Sequence, residues 1–308
     1  MSVVIDIAVQ AGLLILLPLP MLGLINVVKS RVAGRRGPPL LQPVFDVLRL
    51  LRKGAVYSRT TTWVFAFGPM IGLVATFLAG LIVPSAFPTS PFGFPADVFV
   101  VAYLLGLGRF FTMASALDTG SAFEGMGASR EAAFSAMAEP ALLLALMILC
   151  IPSRVPSFGD AFSALPAAGG LLRSPGLMLA ALALGVVLLA ETARIPVDDP
   201  NTHLELTMIH EVMVLDHSGP DFAFIQIGYA MKMYVLGAVL VHLVLPIPQD
   251  GWAAPALFIV GQAAVAIEIG VIESIMARLR LSRVPQLLIG ACVVAAVGVL
   301  VLFTGGRP

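Results

Sequence analysis

Eight stretches of this chain stay apolar for about the length that crosses a membrane, with short polar connections between them. They lie at about 3–28, 62–83, 97–117, 132–151, 174–190, 222–245, 252–277 and 285–304. A bilayer core of roughly 30 Å takes about 20 mostly apolar residues in helical form, so each window predicts a spanning helix. The fifth is short, and several polar residues interrupt the sixth. Between the first two windows the pattern changes. Within LLQPVFDVLRLLRK, Leu41, Val44, Phe45, Leu48 and Leu51 fall on one helical face. Gln42, Asp46, Arg49 and Lys53 fall on the other, and Pro43 sits in the first turn, where its missing donor does no harm. That pattern predicts an amphipathic helix over 40–53 lying in the membrane interface, or a plain linker helix on the surface. The fold class expected is an all-α polytopic membrane protein forming a single membrane domain over 1–308.

Composition agrees. The chain is 59% hydrophobic and only 12% charged, with mean hydropathy +0.99, values that exclude an ordinary soluble domain. The first window is too long for a signal peptide and is followed, not preceded, by bases, so no cleaved leader is expected. The only cysteines, Cys150 and Cys292, fall inside predicted spans. Two thiols are too few for an iron–sulfur ligand set, which makes them packing residues.

Charge sets the orientation. Eight of the 18 Lys and Arg residues lie between windows one and two; with that side cytoplasmic, 13 bases fall inside and three outside. The positive-inside rule then predicts both termini outside and the connection at 191–221 inside. That connection, ETARIPVDDPNTHLELTMIHEVMVLDHSGPD, is the most unusual part of the chain. It holds seven acids against the single base Arg194, a net charge of −6. Such a concentration adds no stability to a membrane protein and predicts an ion path, a ligand cavity or a docking face.

Ionisable residues also occur inside the predicted spans. Each costs on the order of 2.5–3.5 kcal/mol near mid-bilayer, so such groups tend to be paired and functional. At about 1.5 Å per residue, Arg109 lies roughly 18 Å from the outer end of its span and Lys232 about 15 Å from the inner end of its own. Glu139 is about 10 Å deep and is followed by a helix-kinking Pro140, Glu268 is about 13 Å deep and Glu273 about 6 Å. Glu191 closes the fifth span. Together these six predict a hydrated polar path from the acidic loop toward mid-membrane; the alternative is a set of structural ion pairs locking helices together. Glu273 has a third option, reaching the headgroups.

His203, His210 and His217 recur every seven residues. On a helix that is about 10.5 Å of rise, too far for two of them to share one metal ion. HEVMV at 210–214 lacks the second histidine of a zinc-protease motif. Proton relay or partner contact is the functional reading, set against ordinary solvated faces. His242, alone on the sixth span, is expected to be a hydrogen-bonded packing residue. GMG at 125–127 is read as a loop, and no phosphate cradle, dinucleotide pattern or transporter-like internal repeat occurs. No metal site, no cofactor bound by this chain and no nucleic-acid partner are expected.

A longer motif carries a resemblance. E-x-x-R-x-P-x-D-x-P, followed five residues after its last proline by Glu-Leu, is present as Glu191, Arg194, Pro196, Asp198, Pro200, Glu205 and Leu206, and Ser218-Gly219 closes the loop. This resembles the membrane subunit of respiratory complex I, the NADH:quinone oxidoreductase, that joins the peripheral redox arm to the membrane arm. It resembles still more closely the equivalent subunit of energy-converting membrane-bound [NiFe] hydrogenases, the formate hydrogenlyase subunit 4 type. RRGPPLLQPVFDVLRLLRKG at 35–54 is similar to the family's segment after the first helix, and ALDTGSAFEGMGASREAAFSAMAEPA at 116–141 to the hydrogenase branch. Quinone-reducing members carry acids where this chain has Asn201 and His203, a departure that favours the hydrogenase reading.

The resemblance implies a role and partners. A [NiFe] large subunit and a small iron–sulfur subunit would dock on the cytoplasmic side, the [NiFe] and [4Fe–4S] centres residing there, with antiporter-like membrane subunits alongside. Arg194, Asp198, Asp199, His203, Glu205, His210, Glu211 and Asp216 would line the docking cavity or loop, Glu191 beneath them. Arg109, Glu139, Lys232, Glu268 and Glu273 would extend the pathway. Closely spaced carboxylates in low dielectric cannot all ionise, so such a set can pass protons or respond to a nearby redox change. The alternatives are the quinone-binding subunit of a complex I, a stand-alone cation transporter, and an anchor with inert charges.

Overall fold

The computed structural model describes residues 3–165, 174–199, 207–248 and 251–305, and every regular element among them is helical. The first apolar window forms two helices, α1 (Val3–Leu16) and α2 (Pro18–Val32), bent by 43°. Pro18 and Pro20 supply no N–H to the preceding turn, which breaks the helix at that point. The amphipathic segment forms α3 (Gln42–Leu51) with Pro43 in its first turn. Val47 packs inward while Phe45 and Leu48 stay exposed, an apolar stripe that no described residue covers.

α4 (Trp63–Ile82) and α5 (Asp97–Asp118) follow their windows closely. α6 (Ala122–Cys150) starts ten residues earlier than the fourth window, so Gly125–Gly127 is helix and not loop. Tertiary contact explains the extension: a Cβ on Gly127 would stand 2.4 Å from Val212, so only a glycine lets the first turns of α6 pack on the 209–213 chain. A short α7 (Phe158–Ala164), which the hydropathy pattern did not predict, precedes α8 (Pro175–Glu191). α9 (Gly219–Val244), α10 (Ala253–Ile275) and α11 (Val284–Gly305) complete the chain.

Six of these helices are long and apolar enough to cross a bilayer, and the bent α1–α2 pair makes a seventh. The expectation of about eight spans exceeds that count by α8. With 17 residues, α8 is about 25 Å long, short of the hydrocarbon thickness. It nonetheless runs antiparallel to α11 for most of its length: Gly176 meets Leu302 at one end, and Ala190 shares a core cluster with Leu288 at the other. Its end is set by backbone geometry. Ala193 adopts a left-handed φ of 52°, and the Arg194 N–H bonds back to the Leu189 carbonyl.

α9, the window most interrupted by polar residues, is the central helix of the bundle. α2, α3, α4, α8 and α10 all pack on it, and α5, α6 and α11 lie outside that ring. Two sets of clasps mark the ends of the bundle. At one, the Val56 N–H bonds Ser218, the Thr62 and Phe65 N–H groups bond Asp118, and the Asp216 N–H bonds Glu124. At the other, Gln10 donates to the Leu81 and Val83 carbonyls, and the Phe158 N–H bonds Asp97.

The tightest approach lies between α2 and the chain before α3, where a Cβ on Gly23 would stand 1.8 Å from the Leu40 carbonyl oxygen. Gly23→Ala should therefore destabilise the detergent-solubilised protein by about 1–3 kcal/mol. Gly12→Ala, which meets nothing within 4 Å, should leave the melting temperature unchanged. Thermal melts settle it, and equal midpoints for the two variants would contradict this packing.

Candidate functional site: a buried chain of charges

Five elements deliver charged side chains to one region of the interior. α5 brings Arg109, α6 brings Glu131 and Glu139, and α8 brings its last residue, Glu191. Lys232 comes from α9, and the described parts of the acidic connection, 194–199 and 207–210, bring Asp198 and His210. All except Glu139 are more than nine-tenths buried. Residues 191–198 and 208–214 wall the interior, and of the two readings offered for His210 and His217 the solvated face does not hold, both side chains being buried.

The contacts run in series. Arg109 Nη2 donates to both oxygens of Glu191 at 2.8 and 2.9 Å, and its Nη1 donates to Glu139 at 2.7 Å. Its Nε faces Glu131 at 3.7 Å. Lys232 Nζ reaches the second oxygen of Glu191 at 2.5 Å. Beyond Glu131, His210 Nε2 stands 3.2 Å from that carboxylate, and His210 Nδ1 stands 3.6 Å from Asp198. Asp198 accepts from Arg278 at 2.8 Å and from the backbone N–H groups of Asp199, Ile209 and His210. Arg278 also donates to the Thr207 carbonyl. Through Arg278, Asp198 therefore pins both described arms of the loop to the chain just after α10.

Four carboxylates in this series (Glu131, Glu139, Glu191, Asp198) face three permanent cations, Arg109, Lys232 and Arg278. A protonated His210 makes the set neutral and a neutral His210 leaves it one charge negative. Burial opposes charging His210, but Glu131 and Asp198 outweigh it and hold its pKa above the ordinary 6.5. Burial likewise opposes ionising Asp198, and the His210 side chain and Arg278 hold it below the ordinary 3.8. His217 behaves differently. It stacks on Phe65 with ring centroids 4.1 Å apart, and burial alone pushes its pKa down to about 4, so it is a neutral packing residue.

Space for water adjoins this series. A cavity of about 350 Å³ opens between α2, α3, the 192–194 turn and α9, bordered by Asp46, Arg194, His210, Glu211 and Tyr229. On the inner side, a chamber of about 40 Å³ touches Arg109, Glu131, Lys232, His210 and Tyr229, enough room for ordered water. His210 and Tyr229 border both spaces, and the buried Tyr229 hydroxyl has no hydrogen-bond partner among the described residues, which suits a water site.

The predicted residues separate into groups. Arg109, Glu139, Glu191 and Lys232 meet, and His210 and Asp198 connect to them through Glu131. Glu273 does not reach the headgroups: its buried carboxylate pairs with Lys29 at 2.7 Å and Arg194 at 3.3 Å in a second cluster. Glu268 joins neither and faces outward from α10. Glu211 borders the cavity, Asp199 is half-buried beside Asp198, and Asp216 is exposed. His203 and Glu205 lie outside the described residues. His242 is wedged between Phe162 and Phe258 with no hydrogen bond at either ring nitrogen among the described residues, contrary to the expected hydrogen-bonded role. Glu131 and Tyr229 were not singled out, and Lys29 and Arg278 entered only as orienting charges. Glu131 fell one residue before the predicted span; its spacing to Ser135 and Glu139, four residues each, was the available signal. Among the described residues no group of three or more His, Cys, Asp or Glu side chains is arranged to hold a metal ion.

These features define a multi-pass membrane protein built around an internal series of ion pairs with water-sized cavities on both sides of one histidine. The chain belongs to the NADH dehydrogenase family, whose model matches residues 5–304. It is 30% identical over 282 residues to formate hydrogenlyase subunit 4 of Escherichia coli (strain K12), covering 86% of this chain and 87% of that one. Hydrogenase-4 component C of the same organism is also 30% identical, over 237 residues, covering 77% and 74%. The NADH-quinone oxidoreductase relative from Paraburkholderia phymatum is more distant, at 25% identity over 238 residues, 73% of this chain and 65% of the relative. A solved chain from the membrane-bound sulfane sulfur reductase, an archaeal respiratory membrane complex, shares the fold. Its TM-score is 0.83 at 23% identity, covering 97% of this chain and 99% of that one.

The pKa directions fix a pH window. His210, with its folded pKa raised, stabilises the fold fully below about 6.5, and that contribution fades as pH rises through the raised value. Asp198, with its folded pKa lowered, stabilises it above about 3.8 and loses that contribution as pH falls through the lowered value. The melting-temperature gap between wild type and His210→Gln should therefore be widest between about pH 4 and 6.5 and should narrow on the alkaline side. A gap that widens above pH 8 would contradict the pairing.

Proposed function

We propose that this chain is the membrane anchor and coupling subunit of an energy-converting complex of the hydrogenase or formate hydrogenlyase type. In it, redox chemistry in a docked cytoplasmic module would drive proton or sodium movement. The observation that carries this reading is the series from Asp198 through His210, Glu131, Arg109 and Glu191 to Lys232 and Glu139. One end lies in the loop beneath the proposed docking face. The other is Glu139, whose side chain is 51% exposed on the flank of the bundle, where a neighbouring antiporter-like subunit would receive the charge change.

The redox groups would belong to the partners. Cys150 and Cys292, on α6 and α11, cannot by number ligate a cluster that needs four thiolates. [NiFe] and [4Fe–4S] centres in the docked large and small subunits would supply hydrogen–proton interconversion and electron transfer. This chain's own part is electrostatic. Charge arriving above the loop acts first on Asp198 and His210, and His210 is the one member whose protonation sets the sign of the whole series. Losing its proton places uncompensated negative charge beside Glu131 in a low-dielectric interior, where repulsion is many times stronger than in water. Reprotonation from the 350 Å³ cavity, or proton uptake farther along the series, relieves it.

The orientation proposed is multi-pass in the cytoplasmic membrane with both termini outside. It is supported by the basic connection after α2, which meets the acidic loop and the α10–α11 connection at one end through Lys29, Arg194, Glu273, Arg278 and Asp198. Those three connections share a side only when α8 also crosses.

A second reading has one observation behind it: a cavity of 350 Å³ walled by α2, α3 and Tyr229 has room for a small headgroup such as a quinone. Quinone reduction sensitive to rotenone in the purified complex would favour it.

In the native complex purified through a tag on this chain, nickel and hydrogen-dependent dye reduction should co-elute. An eluate carrying flavin and NADH oxidation instead would move the chain to a quinone-reducing complex. Glu191→Gln should retain assembly and dye reduction while ion uptake coupled to turnover falls at least tenfold. Wild-type ion uptake in that variant would sink the coupling role.

A further inference from the structure

Glu268 is the predicted pathway residue that the fold sends elsewhere. It lies seven residues from the end of α10, about 10 Å inside the helix. Glu273, on the same helix, turns inward to Lys29 and Arg194. Glu268 faces outward, and among the described residues it has no ion pair and no hydrogen bond. Two methylenes cannot carry its carboxylate to the surface from that depth. An uncompensated charge there costs on the order of 2.5–3.5 kcal/mol, and intramembrane acids are almost always paired or turned to a water-filled space.

Its surroundings are a groove rather than a flat lipid-facing surface. α8 and α10 each pack on α9 without substantial contact with each other, and the space between them measures about 400 Å³. Leu240 and Val244 of α9 form the floor, and Ala181 and Gly185 stand on the α8 wall. Glu268 is the only polar residue lining it among the described residues. A Cβ on Gly185 would meet nothing within 4 Å, so the α8 wall, otherwise built of residues such as Met178, Leu182 and Leu189, leaves open space at that point.

We propose that this groove seats a membrane-spanning helix of a partner subunit that carries a lysine or arginine at the depth of Glu268. Lipid tails fill the space but supply no cation, and lipid ammonium groups lie at the headgroup level. A second copy of this chain does not fit either. Its span-level bases, Arg109 and Lys232, are buried and committed to Glu139 and Glu191. The occupant is therefore a different chain. The inference rests on the reading that this protein works within a multi-subunit membrane complex but not on its coupling role, so wild-type ion uptake in Glu191→Gln would leave it standing.

The test uses the native complex, purified through a tag on this chain. A photo-crosslinking phenylalanine analogue placed at Leu182, an exposed rim residue of the groove, should join one membrane subunit through a peptide that carries Lys or Arg within an apolar run. Glu268→Lys and Glu268→Leu should reduce the yield of that subunit at least tenfold, and exchanging its basic residue for glutamate should restore it in the Glu268→Lys background. Melting of the isolated chain serves as the folding control, because an outward Leu disturbs no internal contact. Crosslinks to lipid alone or to a second copy of this chain would overturn the proposal. So would full subunit composition in both variants.

Discussion

The Glu191 carboxylate is shared between Arg109 and Lys232, and the interior of this protein is arranged around that sharing. The three groups come from α8, α5 and α9, so a single acid fixes the relative depth of three helices. Two bases held away from water need more than one counter-charge, and Glu139 and Glu131 supply it from α6. Once those acids are inside, each needs its own partner, which draws in His210 and, through Asp198, Arg278. A buried ion pair is weak evidence for stability, because desolvation offsets much of the attraction. A set of this size therefore points to use rather than to strength.

His210 holds a position that no other member shares. Among the described residues it is the one titratable bridge between Asp198 of the loop and Glu131 of α6, and it stands where the two cavities approach each other. Because the remaining charges nearly cancel, one proton on one ring decides whether the series is neutral. The family assignment gives this arrangement a setting, since the relatives at 30% identity are a formate hydrogenlyase subunit and a hydrogenase component.

The two carboxylates on the flanks of the bundle differ instructively. Glu139 is half-exposed but remains bonded to Arg109, so it extends the internal series to the surface. Glu268, on another flank, has no ion pair or hydrogen bond among the described residues. One reads as the end of a pathway and the other as half of a contact still to be made. Depth and acidity alone could not have separated them.

Hydropathy alone located most helices, because a spanning segment must satisfy its backbone internally and bury its side chains in lipid, and both demands are local. The amphipathic α3 and the proline at its start were legible for the same reason. The pattern missed where tertiary contact replaced lipid. The first ten residues of α6 are too polar and glycine-rich for a span, and they are helical because Gly127 admits the 209–213 chain. α7 and the early break at Pro18 were likewise unmarked by hydropathy. The sequence on its own also named Arg109, Glu139, Glu191 and Lys232, since a charge inside an apolar window stands out from its neighbours. It could not name Glu131, which lies beside its window, nor pair Glu273 with Lys29, nor separate Glu268 from the rest. Helical phase and depth say how far along a helix a charge lies; only the packing of α5, α6, α8 and α9 decides which charges meet. Ion pairing falls off within a few ångströms, and distances of that order between residues as far apart in the chain as Arg109 and Glu191 are a property of the fold.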